Sequence, residues 1–340
     1  MLETEFVLAG QRLKNRMVYL PMGLGAMPLE ARLAHYTQAA AGGVGLLIAE
    51  AVMVCAETPR QYPVMPGVSA RTTMLGLYTD EQQAWLAQVA AICHREGAKA
   101  LVQLAHQGLD EPLEDRLLSD WPQSKMAQVQ EAFVNSAKRA QAAGFDGVEL
   151  HAGHGLFLSQ VLSPVINDRT DRWGGSAAKR TGYVTEIIQG IKVACGRDFI
   201  TGVRMGCNEP TLGASIQTAQ LLAQGGADFL DISAGINNSA YVGLERPADF
   251  PYSRKVYGAC QIRQKVSVPV IAVDGIRTRA QAEDILARGC ADLIGLGRPL
   301  LADPDWPRKV LAGETPNPCR GCATCRWYQD AAKCPSRMAR

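Results

Sequence analysis

Eight short apolar, β-rich runs, separated by stretches of helical period, constrain this chain more than any other feature. They are RMVYLP (16–21), VGLLIAE (44–50), KALVQLA (99–105), DGVELH (146–151), FITGVRM (199–205), DFLDIS (228–233), PVIAVD (269–274) and DLIGLG (292–297). Each is nearly continuously apolar, the pattern of a strand covered on both faces and hence of a parallel sheet. Between them lie helical patterns such as 80–97, 124–144 and 279–289, the last two closing on a glycine that suits a helix C-cap. Strict alternation eight times over predicts an α/β fold, a (β/α)8 TIM barrel. A doubly wound sheet is the structural alternative, but the spacing is near even and no early GxGxxG fingerprint is present.

A chain of 340 residues is long for one domain, yet a barrel with extensions uses this length as a single unit. We expect a barrel over 1–313 and a short cysteine-rich extension over 314–340. With 20% charged residues and a net charge of +2, nothing points to nucleic acid or an acidic membrane surface as partner. No apolar run reaches membrane-spanning length and the start MLETEFVLAG is not laid out as a signal peptide, so a cytoplasmic protein is expected. An oligomer is compatible with the sequence. Of ten cysteines, six lie singly between Cys55 and Cys290 and are expected to be reduced, mostly in the core.

In a barrel the chemistry sits in the loops just after each strand. The first run leads into Pro21, Met22 and Gly23; the third carries Gln103 and His106. The fourth ends on His151, with His154 three residues later, and the fifth offers Arg204. The last two open into Asp274-Gly275 and Gly295-Leu296-Gly297-Arg298. Taken singly, such residues are more often structural than catalytic, and the glycines ease turns. Together they suit one ligand: glycine-rich turns with free backbone N–H groups and an arginine form a phosphate site, and Gln103 and Arg204 could meet a polar ring over the barrel mouth. A phosphate-bearing cofactor is the expectation.

The stretch DGVELHAGHGLFLSQVLSPVINDRTDRWGGS (146–176), with its HxxHG, LSP and NxRxDxxGG elements, resembles the signature of the old yellow enzyme family of NADH:flavin oxidoreductases. Similar matches occur at KNRMVYLPM (14–22), GGVGLLIAEA (42–51), QLAHQG (103–108) and AVDGIRTRAQAEDIL with LIGLGRPLLADPDWP (272–307). The resemblance implies FMN as cofactor: Pro21, Met22, Gly23 and Ala51 along the flavin, Gln103 and Arg204 at its pyrimidine edge, and Gly275, Gly297 and Arg298 at its phosphate. His151 and His154 match the pair that binds a substrate carbonyl oxygen, where two imidazole N–H groups stabilise the charge that grows as hydride arrives at Cβ. Three features depart from the family. Leu156 stands where most relatives carry a proton-donating tyrosine, Gly23 where a Thr or Cys often touches the flavin, and the segment from His106 to Ser124 is short. The proton donor would then be water, Tyr62 or Tyr241.

Cys319, Cys322, Cys325 and Cys334 form a CxxCxxC cluster followed by a fourth cysteine after eight residues. Chemistry alone leaves zinc and a [4Fe–4S] cluster open. The PCRGC start (318–322) resembles the branch of the family that contains trimethylamine dehydrogenase and 2,4-dienoyl-CoA reductase, which implies iron–sulfur. In that branch further nucleotide-binding domains follow, whereas this sequence stops at Arg340; reducing power is therefore expected from NAD(P)H at the flavin, or from an external electron-transfer protein or subunit at the cluster. The leading expectation is an ene reductase acting on an α,β-unsaturated carbonyl compound. An amine dehydrogenase passing electrons out through the cluster, and an electron-transfer subunit of a larger complex, are the alternatives.

Overall fold

The computed structural model describes residues 1–25, 27–56, 75–109, 116–236, 243–328 and 330–338. It opens on an antiparallel hairpin, β1 (Phe6–Leu8) and β2 (Gln11–Leu13), turned at Ala9 and Gly10, both at positive φ. Then come β3 (Met17–Tyr19), α1 (Leu29–Ala41), β4 (Leu46–Met53), the two-residue β5 (Leu75–Gly76), α2 (Asp80–Arg95), β6 (Lys99–Ala105), α3 (Gln123–Ala142) and β7 (Gly147–Ala152). The second half continues with α4 (Phe157–Leu162), α5 (Ala177–Cys195), β8 (Ile200–Gly206), α6 (Leu212–Gln224), β9 (Phe229–Ser233), α7 (Arg254–Arg263), β10 (Val270–Ala272), α8 (Arg279–Ala287), β11 (Leu293–Leu296), α9 (Arg298–Ala302) and α10 (Trp306–Leu311).

All eight apolar runs are strands, and they close: β11 pairs with β3 and β3 with β4, every barrel pairing being parallel. The (β/α)8 barrel expected from the sequence is the fold. Local signals set the helices as read. Thr79 with Gln82 and Thr278 with Gln281 form reciprocal capping boxes at the starts of α2 and α8. Gly144 and Gly289 take the positive φ that ends α3 and α8.

Alternation along the strands divides the barrel interior into two tiers. Val18, Leu46, Ile48, Leu101, Ile200, Phe229, Ile271 and Leu293 pack into one inner cluster with Leu8 and Leu13, so the hairpin plugs the N-terminal end. Gly202 makes room there, since a Cβ at that position would overlap the Phe229 ring. Further up the same inward rows the residues turn polar: Gln103, Glu149 and His151, Arg204, Asp231 and Ser233, all buried. Polar groups taken out of water need partners, and this tier is where they find them.

After α10 the chain folds back on the barrel. Asn317 N donates to Asp303 Oδ2 at 2.8 Å, Ser336 Oγ to the Pro318 carbonyl at 2.6 Å, and Arg337 Nε to the Leu301 carbonyl at 2.7 Å. Trp327 is buried 5.1 Å from the His35 ring. One expectation is corrected: Cys260 on α7 and Cys290 after α8 are joined as a disulfide, whereas the isolated cysteines were expected to be free thiols. The helices flanking β10 bring together two residues 30 apart in sequence.

Candidate active site

The site is built on loops that buried polar side chains hold in place. After β3 the loop is pinned from β4: Glu50 accepts the Leu24 N–H at 3.1 Å and pairs with Arg32, which in turn donates to the carbonyls of Gly25 at 2.6 Å and Met27 at 2.8 Å. Charges this deep persist only when paired and fully hydrogen-bonded, and the result fixes Pro21, Met22 and Gly23 at the barrel mouth. The signature motif after β7 is a second clasp. Asn167 Nδ2 donates to the carbonyls of Val161 and Trp173, and Arg169 pairs with Asp171 while donating to the carbonyls of Leu118 and Trp121. Gly174 is required because a Cβ there would overlap the Arg169 carbonyl. Much of the signature therefore holds loops rather than ligands.

Pro21, Met22, His154, Arg204, Gly275, Gly297 and Arg298 line one cavity of about 390 Å³ at the C-terminal end of the barrel, within the size range of cofactor sites. Among the described residues, four cations, Arg204, Lys255, Arg277 and Arg298, face it against one carboxylate, Asp274. Gly275 sits at φ +76° and Asp274 at φ +88°, the latter a strained conformation of the kind that collects at functional sites. Near Gly297 a Cβ would stand 3.3 Å from Met22 Sδ, so glycine keeps that wall open. The excess of positive charge and the open glycine backbone fit an anionic, phosphate-bearing cofactor such as FMN.

The other expected cofactor residues, Gln103, Ala51 and Gly23, do not line this cavity. Gln103 is buried and donates from Nε2 to Glu149 Oε2 at 2.6 Å. Ala51 packs beside Met53, Ala105 and Leu156, and Leu156 is itself buried in that group. Gly23 has open space where a side chain would start. Tyr62 and Tyr241 lie outside the described residues.

His154 lines this cavity, and His151 is buried against it. His154 takes a positive φ of 58° before Gly155, which turns the chain back so that its Nδ1 lies 3.3 Å from His151 Nε2. The network assigns the protons. His151 Nδ1 accepts from the Gly153 N–H at 3.3 Å, so its proton is on Nε2, aimed at His154 Nδ1. His154 then carries its proton on Nε2, directed at Ser233 Oγ at 2.8 Å, which also accepts from Arg204 Nη2 at 3.2 Å. Burial holds both imidazoles neutral: it pushes His154 down to about 3, helped by Arg204 and Lys255, and takes His151 well below the ordinary range, helped by His154 and Arg204.

The cysteine segment reaches the same place. Cys319, Ala323, Cys325 and Tyr328 form part of the main cavity wall, and burial pushes the Tyr328 hydroxyl up to about 12, with Cys325 adding to the rise. Cys319, Cys322, Cys325 and Cys334 together line a smaller adjoining cavity of about 20 Å³. That space admits about one water. Among the described residues no group of three or more His, Cys, Asp or Glu stands in ligand geometry. The four thiols converge, but as they stand they do not form the ligand set of a cluster.

Lys255, Ser233, Asp231, Glu149 and Tyr328 were not among the residues expected at the site. The inward positions were readable from period two, since Asp231 and Ser233 alternate with Leu230 and Ile232 in DFLDIS. Nothing marked Lys255, at the start of α7, or Tyr328, in a turn of the extension.

Comparison with known proteins places the chain in a family. The model of the NADH:flavin oxidoreductase / NADH oxidase family matches residues 6–127 and 120–317. The chain is 34% identical over 341 residues to an NADH oxidase of Thermoanaerobacter brockii, covering 92% of this chain and 51% of that protein. It is 31% identical over 331 residues to an NADPH dehydrogenase of Halalkalibacterium halodurans, covering 90% and 93%. An old yellow enzyme homologue from Zymomonas mobilis superposes with a TM-score of 0.74 at 20% identity, over 97% of this chain and 99% of that one. The chain spans about half the length of the longer curated relatives it matches. With a matching model over nearly the whole barrel, the chain belongs to the NADH:flavin oxidoreductase / NADH oxidase family.

Proposed function

We propose that the protein is an FMN-dependent ene reductase that reduces the C=C bond of an α,β-unsaturated carbonyl compound, with NAD(P)H as the source of reducing power. The observation that carries this reading is the neutral histidine pair, with His154 on the wall of a cavity rich in cationic side chains and His151 buried against it. FMN would be held by Pro21, Met22, Gly23 and Ala51, by Gln103 and Arg204, and by Gly275, Gly297 and Arg298, and when reduced it supplies a hydride.

The chain's own residues then have distinct tasks. His151 and His154 each own one N–H, now given to His154 Nδ1 and Ser233 Oγ. A substrate carbonyl oxygen can replace those weak internal acceptors. As hydride adds at Cβ, the C=C π pair shifts to form a double bond between Cα and the carbonyl carbon, the C=O π pair moves onto oxygen, and the two donors stabilise that enolate charge. Because both rings are held neutral, they donate hydrogen bonds without releasing a proton to the oxygen. Before substrate enters, Ser233, which accepts from Arg204 Nη2, holds the His154 N–H in place. Leu156 has no proton to give and packs against Met53 and Ala105, so the Cα proton comes from solvent.

We extend the proposal to a [4Fe–4S] cluster on Cys319, Cys322, Cys325 and Cys334. Its support is the convergence of four thiols on one closed space whose wall is shared, through Cys319 and Cys325, with the main cavity. A cluster there would be held by these four thiols and would supply one-electron exchange. The test is anaerobic reconstitution with FMN, iron and sulfide, followed by assays of cyclic enones and tertiary amines with NADH and NADPH. Enone-dependent reoxidation of the flavin supports the reading; turnover of amines alone overturns it.

A further inference from the structure

Below the histidine pair, on the same inward rows, lie two carboxyls that the reaction above does not use. Glu149 on β7 and Asp231 on β9 are both 0% exposed. Each is tied to one of the residues assigned to the flavin's pyrimidine edge. Gln103 Nε2 donates to Glu149 Oε2 at 2.6 Å, and Arg204 Nε stands 3.3 Å from Asp231 Oδ2. That ion pair is not aligned as a hydrogen bond, and Glu149 Oε1 and both Asp231 oxygens also have no hydrogen-bond partner.

The surroundings make full ionisation of both carboxyls costly. Gln103 on β6 is uncharged; His151 on β7 and His154 beyond it are neutral; Arg204 on β8 is the one cation in contact; Asp231 and Ser233 are on β9. β10, β11 and β3 present Ile271 and Val273, Leu293, and Val18 and Leu20, and β4 presents Leu46 and Ile48. Glu50 of β4 is committed to Arg32, and Lys255 at the mouth to Asp274. Two carboxylates beside one guanidinium would leave a buried negative charge unbalanced. Burial, and then the nearby Asp231, drive Glu149 well upward against Arg204 and Gln103; burial likewise raises Asp231 against Arg204. Both shifts run toward a pair that shares one proton, which would make the group of three electrically neutral.

We propose that Glu149 and Asp231 act as a proton-accepting pair that takes up one further proton when the flavin above them is reduced, making its reduction a two-electron, two-proton step. The inference rests on the FMN reading given above. The balance is direct. A hydride from a nicotinamide brings two electrons and one proton and leaves the oxidised nicotinamide behind, so the flavin becomes one unit more negative. One solvent proton then joins the remaining carboxylate, which frees the positive charge of Arg204 to face that new negative charge. Glu149 and Asp231 are positioning residues for Gln103 and Arg204 as well as the acceptors of this proton.

The test is a spectroelectrochemical titration of the FMN-loaded protein between pH 7.5 and 9, where an anionic reduced flavin by itself takes up only one proton. For a two-electron couple each coupled proton contributes about 30 mV per pH unit. The wild type should fall by about 59 mV per pH unit, and Glu149→Gln/Asp231→Asn by about 30 mV per pH unit. A wild-type slope near 30 mV, or a double variant that keeps the steeper slope, overturns the proposal. Infrared difference spectra of reduced minus oxidised protein guard against a poorly folded double variant. They should show a D2O-sensitive carboxylic-acid band appearing on reduction, lost in either single variant; no such band in the wild type overturns the proposal. If FMN does not bind, the cofactor reading fails on its own, and the flavin-free protein still decides whether the pair holds a proton. A carboxylic-acid band missing from Glu149→Gln/Asp231→Asn but present in wild type supports the pair, and its absence from wild type refutes it.

Discussion

His35 offers a measurable link between burial and pH. It lies on α1, 5% exposed, with its Nε2 2.8 Å from the Tyr19 hydroxyl and its ring against Trp327. Burial, with the nearby Arg337 cation, pushes its pKa down to about 4, against about 6.5 in an unfolded chain. The folded value is the lower one, so between about pH 6.5 and 4 the unfolded state binds a proton that the folded state refuses. Stability from this group is complete above pH 6.5 and is lost as pH falls. At pH 5 the unfolded chain gains RT ln(1 + 10^1.5), about 2 kcal/mol, while the folded protein gains almost nothing. His35→Gln keeps a polar partner for Tyr19 and removes the titration. Urea unfolding of both proteins, followed by tryptophan fluorescence at pH 8 and pH 5, isolates the effect because packing changes and other titrations cancel. Wild type should lose about 2 kcal/mol more than His35→Gln on going to pH 5. Losses equal within about 0.5 kcal/mol, the usual scatter of independent sites, would refute the reasoning.

Three further outcomes are expected. Glu50→Ala should cost about 3–5 kcal/mol, since it strands Arg32 as a buried charge, and it should loosen the loop that carries Pro21 and Met22, read as a lower unfolding midpoint together with weaker FMN binding. Leu156→Tyr must fit a ring among Met53, Ala105 and Ala51, so a loss of about 1–3 kcal/mol in denaturant titrations is predicted, and an unchanged midpoint would show that the site has spare room. Cys334→Ser should abolish iron and sulfide incorporation; because Cys319 and Cys325 belong to the main cavity wall, it should also raise the Kd for FMN, and full metal content in the variant would exclude Cys334 as a ligand.

The barrel was legible because a doubly covered parallel strand has a pattern that no loop imitates, and all eight runs fell on strands. Once the fold is known, its topology brings the ends of β3, β8, β10 and β11 together, which is why Met22, Arg204, Gly275 and Arg298 could be placed in one site from sequence. His154 needed more than pattern, since its contact with His151 depends on a left-handed turn that a histidine seldom takes. The disulfide between Cys260 and Cys290 was not readable, because pairing depends on the distance between two helices and not on spacing along the chain. The start of α7 and the turn that carries Tyr328 left no trace for the same reason: their residues reach the cavity through packing. In the long signature after β7 only His151 and His154 were read as site residues, and Asn167, Arg169 and Asp171 spend hydrogen bonds on backbone carbonyls and on each other.

The central claim is that His151 and His154 present two neutral N–H donors to a carbonyl oxygen above the flavin. It is tested most directly by single-turnover kinetics. The FMN-loaded protein is reduced anaerobically, mixed with a cyclic enone, and flavin reoxidation is followed for wild type, His151→Ala and His154→Ala. Removing one donor should slow hydride transfer by about 100- to 1000-fold while the FMN remains bound. Reoxidation by the enone at the wild-type rate in both variants would contradict the claim.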